Sequence, residues 1–174
     1  MSELAEPLRP VRVVRQPGRY APLAGFSCGA GEESWDRHVN RVAQRLYSEQ
    51  AIPQTLAVLE DDGGELVGIC TFWPRDLLLP LRREPLLEIP YINAIGIDRR
   101  FRGAALRDGG RPADALLAGV LDVIRGMHGG AAPHVYALVA SANERGHALF
   151  DRHGFGELSA TKPGGEAIRI RPPD

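Results

Sequence analysis

Trp35, Val39, Val42 and Leu46 fall at offsets 0, 4, 7 and 11. That spacing puts them on one face of a helix, which ends before Pro53. A second helical pattern follows Pro112, where Ala113, Leu116, Leu117, Val120, Leu121 and Ile124 occupy offsets 0, 3, 4, 7, 8 and 11. This is a wide apolar stripe; proline suits the first helical position, and Gly126 closes the pattern. Other runs have a different character. Val11 to Arg15, Thr55 to Glu60, Leu66 to Trp73 and Tyr91 to Ile97 read as strands. Asp61-Asp62-Gly63-Gly64 is a tight-turn signal, so the second and third of these form an antiparallel hairpin. Pro74 to Pro90, interrupted by Pro80 and Pro85, reads as a long surface loop. Val135 to Val139 is a short apolar strand. Ser141 and Glu144 have capping-box spacing, which predicts a helix to about His153 with Gly154 as its stop. One or two short strands follow Phe155, the clearer over Ala167 to Arg171.

The order is strand, helix, hairpin, strand, glycine loop, helix, strand, helix, strand, which predicts a mixed α/β sheet. At 174 residues the chain reads as one domain, 1–174, with 1–10 and 171–174 as loose ends. Its 44% apolar and 25% charged residues suit a globular protein. A formal net charge of -1 argues against a dedicated nucleic-acid binder. Cys28 and Cys70 stand far apart without metal-type neighbours, which points to a reducing cytoplasm. No run approaches the ~20 apolar residues of a membrane helix, and the start lacks the apolar core of a signal peptide. A cytoplasmic protein with no membrane partner is expected. There are five histidines, but no HExxH or CxxC spacing, so no metal is expected. A P-loop and a G-x-S-x-G elbow are also absent.

Two segments carry candidate chemistry. In the first, Ile95-Gly96-Ile97 leads into Arg99-Arg100-Phe101-Arg102-Gly103 and then the helix after Pro112. Helix N-termini offer unsatisfied N–H groups and positive dipole character. Glycines let the backbone approach a phosphate, and arginines add charge-assisted contacts. The pattern fits a phosphate or pyrophosphate site, or a surface loop with solvated arginines. The second segment runs from Asn143 to Phe155 behind an apolar strand. Asn143 there reaches a polar ligand or caps the helix.

Taken together, Tyr91 to Phe155 resembles the Gcn5-related N-acetyltransferases. Arg99 to Gly103 resembles the lead-in to the family's R-G-x-G-x-G loop, and Leu116-Leu117 its leucine pair. Asn143, Leu149 and Gly154-Phe155 resemble its later N-x-x-A-x-x-L-Y-x-x-x-G-F signature. The resemblance implies a mostly antiparallel central sheet of six to seven strands flanked by three to four helices. It implies acetyl-CoA as co-substrate and direct attack of a primary amine, on a small molecule or a protein, at the thioester. The cofactor-binding positions it implies are Ile95, Gly96, Ile97, Arg102, Gly103, Ala104, Ala105, Gly110, Arg111, Ala113, Asn143 and Phe150. Backbone N–H groups of Ile95 to Ile97 are the candidate oxyanion donors. Candidates for removing the amine proton are Glu88, Asn93 through a water, Ser141 and His134. Dimers are common in the family, which makes a homodimer an expectation.

Two departures stand out. The cofactor loop is longer than the family pattern by about six residues: Ala104-Ala105-Leu106-Arg107-Asp108 stand between Arg102-Gly103 and the helix entry Gly109-Gly110-Arg111-Pro112. Either Arg102-Gly103 or Gly109-Gly110 could hold the pyrophosphate, with Arg102 to Ala105 favoured for the start of the cradle and Gly110 to Ala113 for the helix N-terminus. Phe150 occupies the position of the family's tyrosine, which often protonates the leaving thiolate, so a weakly catalytic acyl-CoA-binding module is an alternative. Phe26-Ser27-Cys28-Gly29 also resembles an F-x-C-G segment of a toxin branch that acetylates charged tRNA. Under that alternative alone, tRNA would be a partner.

Overall fold

A computed structural model describes residues 7–29, 33–48, 53–77, 84–158 and 165–173. Seven strands form one sheet in the order β1-β2-β3-β4-β5-β7-β6. These are β1 (Arg12–Val14), β2 (Thr55–Glu60), β3 (Leu66–Leu77), β4 (Leu86–Ile97), β5 (Val135–Ala140), β6 (Gly156–Leu158) and β7 (Glu166–Arg171). Three α-helices accompany them among the described residues: α1 (Ser34–Tyr47), α2 (Pro112–Met127) and α3 (Glu144–Arg152). The pairings β1–β2, β5–β7 and β6–β7 are antiparallel. β4 and β5 pair in parallel, with Tyr91 opposite Tyr136 and Ile92 opposite Ala137. The chain gathers into two compact units, one of Met1–Thr71 with Ala94–Val123, the other of Phe72–Asn93 with Ile124–Asp174.

In the first unit, α1 buries Val39, Val42, Ala43 and Leu46 against a cluster that includes Leu23, Phe26, Cys28, Val58 and Ile69. Each such apolar side chain contributes roughly 1.5–3 kcal/mol when fully buried. Leu116, Leu117 and Val120 of α2 are all buried. β3 lies close under α2: a Cβ built on Gly68 would stand 2.7 Å from Ile97 Cδ1 and 3.1 Å from Leu116 Cδ2. Glu60, only 5% exposed, receives the Arg12 fork at 2.9 and 2.8 Å and the Tyr20 hydroxyl at 2.5 Å. The Arg12 hydrogen bonds hold its carboxyl below the usual range despite burial.

In the second unit, Trp73 meets Tyr91 edge-on at 4.9 Å, and Tyr91 lies against Tyr136 at 4.8 Å between ring centres. The Arg75 guanidinium sits 5.0 Å from the Tyr91 centroid. Burial, partly offset by Arg75, pushes the Tyr91 phenol up to about 12. On α3 and β7, the buried Arg169 reaches Asp151 at 2.5 Å and the His147 carbonyl at 3.3 Å.

Several expectations are corrected. The segment Pro74–Pro90 is not one loop, because β3 continues to Leu77 and β4 begins at Leu86; residues 78–83 lie outside the described residues. Proline's fixed φ is compatible with an extended chain at irregular strand positions. β4 is irregular nearby, since Glu88 adopts φ 47. The cap of α3 is Asn143 rather than Ser141: its side chain accepts from the Gly146 N–H at 2.9 Å. Residues 7–9 of the expected loose end are tied to the hairpin, with the Arg9 N–H donating to the Glu60 carbonyl at 2.8 Å and the Asp62 N–H to the Pro7 carbonyl at 2.9 Å. Arg171 likewise ends β7, opposite Val135. Residues 1–6 and 174 lie outside the described residues.

Candidate functional site

The strand, loop and helix of the expected cofactor site all lie in the first unit. Ile95 and Gly96 are half-buried and Ile97 is buried at the end of β4. A Cβ on Gly96 would stand 2.7 Å from Cys28 Sγ and 2.9 Å from Val39 Cγ1. Position 96 is therefore glycine because the Cys28 segment and α1 press on the strand there. Asp98 follows and is 1% exposed. Its Oδ1 accepts from the Arg100 N–H at 3.0 Å and from Arg100 Nε at 2.8 Å, and its Oδ2 accepts from the Ser27 N–H at 3.1 Å. Burial alone would raise this carboxyl, but those hydrogen bonds hold it below the ordinary range. Asp98 thus caps the 3-10 turn Arg99–Phe101 and joins it to Ser27. The Arg99 N–H donates back to the Ser27 carbonyl at 2.7 Å.

Arg100 and Arg102 of this loop are committed within the protein. Arg100 pairs with Asp98 and Glu65. Arg102 Nη2 reaches Asp36 Oδ1 at 2.5 Å and Cys28 Sγ at 3.1 Å, and its Nη1 reaches Asp36 Oδ2 at 3.2 Å. Gly103 follows at φ 77, and a Cβ built on it would meet no heavy atom within 4 Å. The positive φ requires glycine, and the surrounding space leaves the backbone approachable. The Ala104 N–H donates to the Phe101 carbonyl at 3.2 Å, which narrows the available cradle to the amides on either side of it.

The inserted residues form a separate closed turn. The Leu106 N–H donates to the Gly110 carbonyl at 2.9 Å and the Gly109 N–H to the Leu106 carbonyl at 2.8 Å. The Gly110 N–H is taken by Asp108 Oδ1 at 2.9 Å. An acid already on that amide disfavours phosphate there, so of the two glycine segments Gly103 suits an anion better. Leu106 to Asp108 border a groove of about 840 Å³ that also includes Leu59, Ala115 and Gly119. Arg111 is exposed and Ala113 half-buried at the start of α2.

The remaining candidates lie in the second unit. Glu88 is exposed, and its N–H donates to Asp76 Oδ1 at 2.8 Å. Asn93 and His134 are half-buried. The exposed Ser141 hydroxyl donates to the Gly165 carbonyl. Asn143 uses its side-chain oxygen as the α3 cap. Phe150 is 3% exposed and packs edge-on against Phe155 at 4.9 Å and 68°; its ring is part of the core of this unit. Among the described residues, no group of three or more His, Cys, Asp or Glu could hold a metal ion, and no helix is long and apolar enough to cross a membrane.

Two features escaped the sequence. The Cys28–Asp36–Arg102 cluster joins residues as much as 74 positions apart, and only the F-x-C-G spacing hinted at it. The Trp73–Tyr91–Tyr136 stack joins residues from three segments that each read as a strand, and no spacing rule joins its members.

No family model matches the chain, and no curated protein is similar to it in sequence. Solved structures are similar. A structure described as a bacterial toxin has a TM-score of 0.63 at 22% identity, covering 94% of this chain and 91% of its own. A mutant AtaT toxin bound to the C-terminus of the antitoxin AtaR and to acetyl-CoA has a TM-score of 0.62 at 18% identity, covering 95% and 92%. A protein described as a phosphinothricin N-acetyltransferase has a TM-score of 0.55 at 19% identity, covering 94% and 95%. The chain therefore has the fold of the Gcn5-related N-acetyltransferases.

Proposed function

We propose that the chain is an acetyltransferase that takes an acetyl group from acetyl-CoA and places it on a primary amine. The observation that carries this reading is local to the first unit. There, β4 ends in a capped 3-10 turn, Gly103 turns the backbone outward at φ 77 into open space, and the 16-residue α2 follows from Pro112. The amides around Gly103 and the first turn of α2 near Ala113 suit the pyrophosphate. Those of Ile95 to Ile97 suit the thioester carbonyl, where negative charge develops.

The reaction balances simply. The amine loses a proton and forms a bond to the carbonyl carbon, the carbon–sulfur bond breaks, and the thiolate leaves and takes up a proton. A lysine-type amine has a pKa near ~10.4 and must be deprotonated first. Glu88, with its exposed carboxylate, is the leading candidate base, and Asn93 through a water, Ser141 and His134 are the other candidates. Phe150 supplies no proton. Water serves that step, since a thiol pKa near ~8.5 makes thiolate a tolerable leaving group.

A second reading is favoured by one feature. The Phe26-Ser27-Cys28-Gly29 segment makes ordered contacts to α1, β4 and the 3-10 turn, and two of the similar structures are described as toxins. The acceptor would then be the amine of an aminoacyl-tRNA. Calorimetric titration with acetyl-CoA, with desulfo-CoA as control, tests the cofactor; absence of binding by folded protein overturns both readings. Turnover with an amine panel beside charged tRNA then separates them.

A further inference from the structure

We propose that Arg102 is a positioning residue for the cofactor loop and not a phosphate ligand. Through Asp36 and Cys28 it fastens the loop to α1 and β4, so that the backbone around Gly103 does the binding. The inference rests on the acetyl-CoA reading and narrows which groups of that site meet the anion.

An arginine beside a left-handed glycine, in a loop that leads to a helix, looks like an anion ligand. Its electrostatic partner is already present. Asp36 is 4% exposed and lies in the first turn of α1. Arg102 grips it with both terminal nitrogens, at 2.5 and 3.2 Å. Swinging Arg102 onto a phosphate would leave a buried carboxylate without its partner, a strongly unfavourable outcome. A phosphate would have to compete with that carboxylate before gaining anything from the guanidinium.

The chain encloses this pair. Gly29 stands at φ 66, and a Cβ there would lie 2.1 Å from Asp36 Oδ2 and 2.8 Å from Arg102 Nη1. Any side chain at position 29 would split the pair. Cys28 accepts from Arg102 Nη2 at 3.1 Å and is wedged against Gly96 of β4. Asn40, one turn beyond Asp36 on α1, holds both sides of the Cys28 backbone: its Oδ1 accepts from the Cys28 N–H at 2.6 Å, and its Nδ2 donates to the Cys28 carbonyl at 3.2 Å. Three elements that must agree for the cofactor loop to keep its shape meet at one guanidinium. The Cys28 thiol, pushed up to about 11 by burial and held back by Arg102, stays neutral here, accepting from Arg102 and donating to Asp36 Oδ1 at 3.6 Å.

The test uses the full chain and measures the Kd of acetyl-CoA at several salt concentrations for wild type, Arg102→Ala, Asp36→Ala and the double variant. For a positioning residue, Asp36→Ala weakens binding about tenfold, as much as Arg102→Ala does. The double variant is then no weaker than the worse single, and the salt dependence of Kd is the same in all four, because no phosphate contact has been lost. In turnover with an accepted amine, KM for acetyl-CoA rises while kcat per folded molecule holds. For a phosphate ligand, Asp36→Ala would bind as well as wild type or better, and Arg102→Ala alone would flatten the salt dependence; either result overturns the proposal. Asp36→Asn, which keeps the shape and removes the charge, replaces Asp36→Ala if that variant does not fold. Failure of the wild type to bind acetyl-CoA would overturn the cofactor reading together with this inference, whereas wild-type binding that Asp36 variants leave unchanged would overturn this inference alone.

Discussion

Gly96→Ala asks whether β4 is pressed by its neighbours as closely as the structure has it. The added methyl would lie 2.7 Å from Cys28 Sγ, 2.9 Å from Val39 Cγ1 and 3.4 Å from Cys28 Cβ. Carbon contacts are comfortable at about 3.5–4.0 Å, so two of the three are short by more than half an ångström. Neither neighbour moves easily. Val39 is β-branched and, on a helix, has one strongly preferred rotamer. Cys28 is held at its N–H and its carbonyl by Asn40. Overpacking of this kind costs about 1–3 kcal/mol. At about 2–4 °C per kcal/mol for a chain of this size, the melting temperature should fall by roughly 2–12 °C. Cys28→Ala in the same chain removes the shortest contact, so the double variant should lose less than the sum of the two singles, a coupling that a double-mutant cycle in urea reads directly. A Gly96→Ala protein as stable as wild type, or strictly additive losses, would refute the packing described for this strand.

Asp98→Asn removes a buried carboxylate that accepts from Ser27 and twice from Arg100, and should cost about 1.5–3 kcal/mol near neutral pH. Because the folded carboxyl is held below its ordinary value, its contribution is present above about pH 4 and lost as pH falls through the lower folded value; urea midpoints of variant and wild type should therefore converge on acidification. Gly119→Ala would place a methyl 2.3 Å from Val11 Cγ2 and 2.7 Å from Val11 Cβ; it should destabilise by about 1–3 kcal/mol, and Val11→Gly in the same chain should recover most of that in a thermal melt. Glu88 holds φ 47, a conformation that costs a non-glycine residue about 1–2 kcal/mol, so Glu88→Gly should hold or raise the urea midpoint. If Glu88 is the base, the same variant should lower kcat/KM on the order of 10²-fold; unchanged kcat/KM across pH would remove it from that role.

Much of the fold was legible because its signals are periodic. Leu116, Leu117, Val120 and Ile124 of one apolar stripe and Val39, Val42 and Leu46 of the other are buried as their spacing demands, with Leu121 and Trp35 half-buried at the edges. Thr55–Glu60 is a strand with the predicted limits. The misreadings fall where two local rules compete. Prolines flagged Pro74 to Pro90 as loop, yet Pro90 is buried inside β4, close to the irregular Glu88. Ser141 and Asn143 are both good caps, and sequence spacing does not say which side chain turns toward the helix; the structure has Asn143 facing Gly146.

In the segment expected to hold the cofactor, the backbone conformation was legible in the sequence and the partners of the charges were not. Glycine at 103 and proline at 112 report conformation, and conformation is a local property. Arginine reports only that a negative partner exists somewhere. In sequence, Arg99, Arg100 and Arg102 read either as phosphate contacts or as solvated surface charges. In the structure, Arg100 goes to Asp98 and Glu65, and Arg102 goes to Asp36, 66 residues away. The same fact gives the Phe26-Ser27-Cys28-Gly29 segment a physical role. Phe26 enters the core, Ser27 closes on Asp98 and Arg99, Cys28 meets Gly96 and Arg102, and Gly29 leaves room for the Asp36 pair. Three of the four answer to the stretch from Gly96 to Arg102, so a short segment near the start of the chain constrains the shape of a loop some 70 residues later.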